Sequence, residues 1–364
     1  MIGIAALVPL FMIMSHGNVQ LQIVPLMMAR AELQNPSTTC EKEPLGFKMQ
    51  KEEERKNGVF SKAGRRIRRE LNLVLGARDE RASRVMFCRR LGAVASFITT
   101  HHMTGGTFND QGEFYVKTYD GIYLYYNFSD DKYTIGDGQG LDFRPVRTEQ
   151  PLEDFLIRSL ANEMVYFDVG ANNGYYYALK VAKRYPTCSV YAFEPDPRIF
   201  LHLTKNIVIN QAGSVTPIRE ALSDHTGVAR MTALLGASNF LIPKRGRTNQ
   251  RTLDVKCTTL DAFVTQHRIQ RIDWIKVDIE GGEPLFLQGS GKTLQRFKPI
   301  MIMELNPVLL ARNDSSVEEV SSLLAEWGYE SLHVKDSADA IAIPREKLSL
   351  LTKSENSWLE ERRA

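Results

Sequence analysis

The chain has 364 residues, enough for two ordinary domains or for one large domain with an extension. Its 43% hydrophobic and 24% charged residues are those of a globular protein and exclude collagen-like and heptad-repeat architectures. A formal net charge of +3 is nearly balanced at this size and gives no reason to expect a nucleic-acid partner. The four cysteines, Cys40, Cys88, Cys188 and Cys257, lie too far apart for a CxxC or Cys/His ligand pattern, which argues against a disulfide framework and a zinc site. Cys188 and Cys257 fall beside or within apolar strand-like runs and read as buried free thiols.

Residues 1–35 form an apolar N-terminal segment. Met1 to Met14 is almost wholly apolar and a second run, Ile23 to Met28, follows a polar break, but neither reaches the roughly 20 residues that span a bilayer. A signal peptide wants a basic start, and no Lys or Arg precedes Arg30. An atypical signal or anchor, an interfacial segment, and a start foreign to the folded protein all stay open. Membrane contact and the compartment, cytoplasmic or membrane-associated, stay open with them. Residues 36–112 are a polar, partly basic linker or helical extension. Lys62, Arg65, Arg66, Arg68 and Arg69 stand there around Ile67, Leu71 and Leu75 at helical spacing. Such charge runs are usually solvated, which favours a solvated face over a membrane or acidic partner.

Residues 113–150 carry a hairpin signal and form a short β lead-in: Phe114 to Lys117 and Ile122 to Tyr126 are aromatic, β-branched runs flanking Asp120-Gly121. Gly136, Gly138 and Gly140 then mark an irregular loop. From 151 to about 334 strands and helices alternate, within a domain expected to span 151–350. Strands are expected at Val165 to Phe167, Ser189 to Phe193, Val215 to Ile218, Ile272 to Ile279, Ile300 to Leu305 and, last, Ser331 to Val334. Helices are expected at Tyr175 to Tyr185, Ile199 to Ile209, Pro284 to Phe297 and Val317 to Trp327. Continuous apolar strands with helical crossovers predict an α/β fold, a parallel sheet with helices on both faces. Gly227 to Phe263 reads as an insertion with β-like runs at Val228 to Leu234 and Thr252 to Thr258. Residues 351–364 are a charged tail.

Open parallel sheets bind ligands at the carboxyl ends of their strands, beside the switch point. The first strand ends in Asp168-Val169-Gly170-Ala171-Asn172-Asn173-Gly174, where backbone N–H groups suit a carboxylate and Asp168 suits an ammonium group. The second ends in Phe193-Glu194-Pro195-Asp196, where Glu194 suits a ribose diol. A dinucleotide fingerprint would need glycine where Asn172 stands, so S-adenosyl-L-methionine (AdoMet), which has no pyrophosphate, fits better than a nicotinamide cofactor. The fourth strand runs into Lys276-Val277-Asp278-Ile279-Glu280-Gly281-Gly282-Glu283-Pro284, a carboxylate-rich site mouth. Glu283 is as readily a helix-capping charge as a functional one. The cluster permits a metal without requiring one, and none is expected.

Asp168 to Asn172, Phe193-Glu194-Pro195, Asn206, Ala221-Leu222-Ser223-Asp224, Thr259-Leu260-Asp261 and Lys276 to Gly281 occur in that order. Together they resemble the FkbM family of methyltransferases over roughly residues 114 to 335. The resemblance implies a Rossmann-like seven-stranded sheet, AdoMet as methyl donor and an oxygen acceptor on a small molecule, sugar or glycan. It implies that Asp168, Gly170, Asn172 and Gly174 line the methionine end, that Glu194 holds the ribose, and that Ser223 or Asp224 lies near the adenine. Asp278 and Glu280 would face the transferring methyl, with Asp278 also a candidate cofactor ligand. Gly236-Ala237-Ser238-Asn239 resembles the family's acceptor-side loop, giving Ser238 and Asn239 as substrate-side residues beside Glu304. Where the family often has Glu-x-His, this chain has Glu304-Leu305-Asn306, so no His base stands there. Glu280 is the first candidate for general base and Asp278 the second. A non-catalytic nucleoside-binding protein and an NAD-dependent oxidoreductase are the alternatives. The acceptor's identity and the oligomeric state stay open.

Overall fold

A computed structural model describes residues 10–15, 18–23, 105–126 except 110, 112 and 119, and 150–360 except 234–238, 244–247, 353, 354 and 356. The basic stretch at 62–75, the glycine loop at 136–140 and Ser238 lie outside the described residues. The chain divides into two compact units, Met1–Tyr119 with Tyr126–Asp131, and Asp120–Tyr125 with Lys132–Ala364. In the first, β1 (Leu10–Ser15), β2 (Asn18–Ile23), β3 (Gly105–Phe108) and β4 (Phe114–Lys117) pair antiparallel in chain order. The apolar N-terminal segment thus contributes two strands. Among the described residues no helix is long and apolar enough to cross a membrane.

The second unit takes up most of β5 (Tyr123–Tyr126) and then alternates. In order come α1 (Gln150–Ser159), β6 (Val165–Val169), α2 (Ala178–Arg184), β7 (Ser189–Phe193), α3 (Pro197–Ile209) and β8 (Val215–Ile218). A small sheet follows, made of β9 (Ala221–Leu222), β10 (Gly227–Thr232) and β11 (Thr252–Thr258), ordered β10-β11-β9. Then come α4 (Leu260–Gln266), β12 (Trp274–Val277), α5 (Glu283–Gln288), α6 (Gly291–Phe297) and β13 (Ile300–Glu304). The last elements are α7 (Pro307–Leu310), α8 (Val317–Glu326), β14 (Tyr329–His333) and β15 (Asp339–Pro344).

The main sheet has seven strands ordered β14-β15-β13-β12-β6-β7-β8, parallel except where β15 runs antiparallel to both its neighbours. Side chains alternate across a strand, so each central strand feeds two cores. Tyr166, Trp274, Ile300 and Ile302 enter one core with Phe155 of α1 and Val181 of α2. Phe167, Ile275, Met301 and Met303 enter the other with Phe263 of α4 and Phe286 of α5. Burial on both faces is why these strands read as unbroken apolar runs.

Three expectations need correction. The chain does not end its sheet at Ser331 to Val334: β15 follows and inserts between β13 and β14. Its Ala-Ile-Ala-Ile run, Ala340 to Ile343, is short and half alanine, which mutes the strand signal. The helix expected over Pro284 to Phe297 is two helices broken at Gly289, where a Cβ would come within 2.0 Å of the Ser223 carbonyl oxygen. The helix expected from Tyr175 starts at Ala178, because the loop before it is occupied by side-chain-to-backbone bonds, among them Tyr175 N–H to Asn173 Oδ1 at 3.0 Å.

Candidate functional site

The carboxyl ends of β6, β7 and β12 open into one cavity of about 230 Å³. Strand register sets its walls: Asp168 lies beside Lys276, and Val169 is flanked by Phe193 and Val277. Gly170, at φ 81°, sits so close to β12 that a Cβ would come within 1.9 Å of the Asp278 carbonyl oxygen. Only glycine joins the first turn to the fourth strand at that distance.

On the β6 and β7 side, backbone N–H groups hold Asp168 and Glu194. Asp168 is buried. Its Oδ2 accepts the Ala178 N–H at 3.0 Å, while its Oδ1 is buried with no hydrogen-bond partner. Burial lifts its pKa to about 6, with the Lys276 cation pulling the other way. Glu194 bridges the two loops: Oε2 accepts the Asn172 N–H at 3.1 Å and Oε1 the Asp196 N–H at 2.8 Å. Burial outweighs these bonds and pushes Glu194 up to about 8. Asn172 takes the left-handed conformation, φ 52°, needed to aim that N–H. Asn206 of α3 fixes the loop from behind, donating to the Asn173 carbonyl at 2.9 Å and accepting from the Tyr125 N–H at 2.6 Å.

On the β12 and β13 side, side chains hold one another. Lys276, itself buried, donates to Asp278 Oδ2 at 2.9 Å and stands 5.4 Å from the centre of the Tyr177 ring. Asp278 keeps 41% of its side chain exposed. Glu280 sits at φ 58°, a left-handed conformation rare for a side-chain-bearing residue, and its carbonyl accepts from Arg312 at 3.0 Å. Glu304 is pushed up to about 8, first by burial and then by Asp278, Glu280 and Glu283. It is therefore protonated at neutral pH and hydrogen-bonds Asp278. Glu283 is fully buried at the start of α5. Its Oε1 accepts the Ile279 N–H at 3.0 Å, and burial raises it to about 7.

The cavity brings together Asp168, Gly170, Asn172, Glu194, Asp278, Glu280 and Asn239. Other sequence candidates stand elsewhere. Gly174 packs against Leu203 and Leu179, behind the loop. Ser223 and Asp224 do not line the cavity. The Ser223 N–H is tied to the Thr258 carbonyl at 2.9 Å, and the Asp224 carboxylate accepts from His225 at 2.6 Å. Glu220, Ala221 and Leu222 line that wall instead, because pairing of β9 with β11 turns the following residues away. Glu304 stands beside Asp278 rather than at the wall. Sequence reasoning missed Lys276, Tyr176, Tyr177 and Asp339, which all line the cavity. Lys276 carries a legible signal: a cation inside a four-residue, otherwise apolar buried strand needs a partner. Among the described residues no three His, Cys, Asp or Glu side chains group to hold a metal ion.

A mostly parallel sheet with a cavity at the carboxyl ends of its central strands is the architecture of Rossmann-like nucleoside-binding domains. Over residues 168–331 the chain matches the methyltransferase FkbM domain. It is 28% identical to the hexuronic acid methyltransferase AglP of Haloferax volcanii, over 44% of this chain and 63% of that protein. It is also 28% identical to the methyltransferase sdnD of Sordaria araneosa, over 36% of this chain and 62% of that protein. The chain thus spans somewhat under two thirds of either relative's length. The crystal structure of methyltransferase FkbM from Methylobacillus flagellatus KT is a distant likeness, with a TM-score of 0.37 and 16% identity over 56% of this chain and 51% of that one.

Proposed function

We propose that the chain transfers a methyl group from AdoMet to a hydroxyl oxygen of a small molecule, sugar or glycan. The observation that carries this reading is the buried, unpartnered Oδ1 of Asp168, in the cavity wall that Asp168 shares with Gly170 and Glu194. A buried carboxylate oxygen without a donor is costly unless a ligand supplies one, and the ammonium group of AdoMet is such a donor. The polar side chains of this wall therefore fit the cofactor: Asp168 for the ammonium and Glu194 for the ribose hydroxyls. Ile199, Leu222 and Met231 offer an apolar surface to the base.

When bound, AdoMet supplies a methyl group already activated by its sulfonium. The chain's residues then align the acceptor and remove its proton. Asp278 is committed to Lys276 and to the protonated Glu304, an arrangement that suits orientation. Glu280, at the cavity wall, takes the role of general base. The likeness to a hexuronic acid methyltransferase supports a sugar-class acceptor. Calorimetric titration with AdoMet and with NAD, followed by a labelled-methyl screen of neutral sugars and hexuronic acids, tests the reading. AdoMet should bind and NAD should not. A folded protein that ignores AdoMet would overturn it.

A further inference from the structure

A second group of chemistry-bearing residues lies beside the cavity and takes no part in it. Asp224 Oδ1 is 2.6 Å from Nδ1 of His225, and Nε2 of the same ring is 3.5 Å from Sγ of Cys257. Ser223 Oγ donates to the same Asp224 oxygen at 3.2 Å. An aspartate carboxylate accepts only, so Nδ1 carries the ring proton and Nε2 presents its lone pair to the thiol. This is the order of an oriented base beside a sulfur nucleophile.

Access comes from the neighbouring strand. Cys257 is buried, but it stands directly opposite Gly227 in the β10–β11 pair. Opposed residues of an antiparallel pair project from the same face, about 4.5–5.5 Å apart at Cβ. At Gly227 that position is open, with no atom within 4 Å of where a Cβ would stand. A small reagent has room beside the sulfur. Cys188 offers the contrast: it too is buried, its thiol donates to the Ala161 carbonyl at 3.1 Å, and burial raises its pKa.

We propose that Cys257 is a peroxide-reactive thiol activated by the His225–Asp224 pair, and that its oxidation weakens cofactor binding through β9. The thiol proton passes to Nε2 of His225 and the sulfur attacks one peroxide oxygen. The O–O bond breaks, and the departing hydroxide takes the proton and leaves as water. Sulfur loses two electrons, peroxide gains them, and the product is a sulfenic acid. The added oxygen has to be housed where Cys257 pairs in register with Ala221, a residue of the cavity wall. This second half rests on the AdoMet reading; the first does not.

The full chain is treated with dilute hydrogen peroxide, sulfenic acid is trapped with dimedone, and labelling is read peptide by peptide by mass spectrometry. Cys257 should label about tenfold or more faster than Cys188, and His225→Gln should remove that advantage. Should His225→Gln not fold, Asp224→Asn keeps the ring while replacing its carboxylate, and it should also slow labelling. Cys257 reacting at the Cys188 rate, or unaffected in both variants, overturns the proposal. AdoMet affinity, measured before and after oxidation, should fall several-fold in the parent and stay unchanged in Cys257→Ser. Equal affinity before and after oxidation, with Cys257 labelled, overturns the coupling. Absence of AdoMet binding in untreated protein instead counts against the cofactor reading alone, and the labelling result stands apart from it.

Discussion

At the ends of β6 and β7, Asp168 and Glu194 are held by backbone N–H groups; at the ends of β12 and β13, Asp278 and Glu304 are held by a lysine and by one another. Glu194 and Asp168 have their geometry fixed by the fold itself. Asp278, Lys276 and Glu304 form a network whose geometry depends on the protonation of its members. A backbone-held wall suits a ligand of fixed shape, whereas a side-chain-held wall suits proton movement.

Four measurements break or sharpen that contrast. The largest effect is expected at the side-chain wall. Glu280→Gln should lower turnover about 10²- to 10⁴-fold, the usual contribution of a general base, with AdoMet affinity near the parental value. Parental turnover in that variant would pass the base role to Asp278 or a water. Next, Glu194→Ala should weaken AdoMet roughly 10- to 100-fold in calorimetry, the loss of its hydrogen bonds to the two ribose hydroxyls. Unchanged affinity in a folded variant would remove Glu194 from the ribose.

The third measurement is a pH series. In Asp168 and Glu194 the folded pKa values, about 6 and about 8, exceed the ordinary 3.8 and 4.5, so the folded state holds these protons more tightly. Stability from these groups is present below the ordinary values and is lost as pH rises through about 6 and about 8. The melting temperature of the ligand-free protein should therefore fall from about pH 5 to about pH 8. AdoMet affinity should run the other way, dropping about tenfold per pH unit below about 6 as Asp168 takes up a proton, and Asp168→Asn should flatten that slope. The smallest effect is expected of Lys276→Met. Loss of the cation beside Asp168 should move the midpoint of the affinity curve to higher pH. An unmoved midpoint would confine Lys276 to its bond with Asp278 and to packing.

How much of the molecule is legible in the sequence follows the same division. Asp168, Gly170, Asn172 and Glu194 stand out because a tight turn and a strand-end carboxylate leave a local signature of a few residues. Asp278 and Glu280 stand out as charges ending an apolar strand. Asp339 does not, because it reaches the cavity only through the pairing of β15 with β13, a contact between distant segments that no local pattern encodes. Ser223 and Asp224 fall away from the cavity for the same reason: the pairing of β9 with β11, not their own neighbourhood, decides which way they face. The break at Gly289 likewise depends on the carbonyl of Ser223, far earlier in the chain.

The insertion of β15 has a consequence for the order in which the molecule is completed during synthesis. Until residues 339–344 have left the ribosome, β13 lacks its antiparallel neighbour and β14 has nothing to pair with. Arg158, near the start of the domain, waits longer still for Glu355, its partner at 2.6 Å. Between the emergence of β13 and that of β15 a nascent chain therefore carries an open sheet edge at β13, and such edges are where chaperones and misassembly compete.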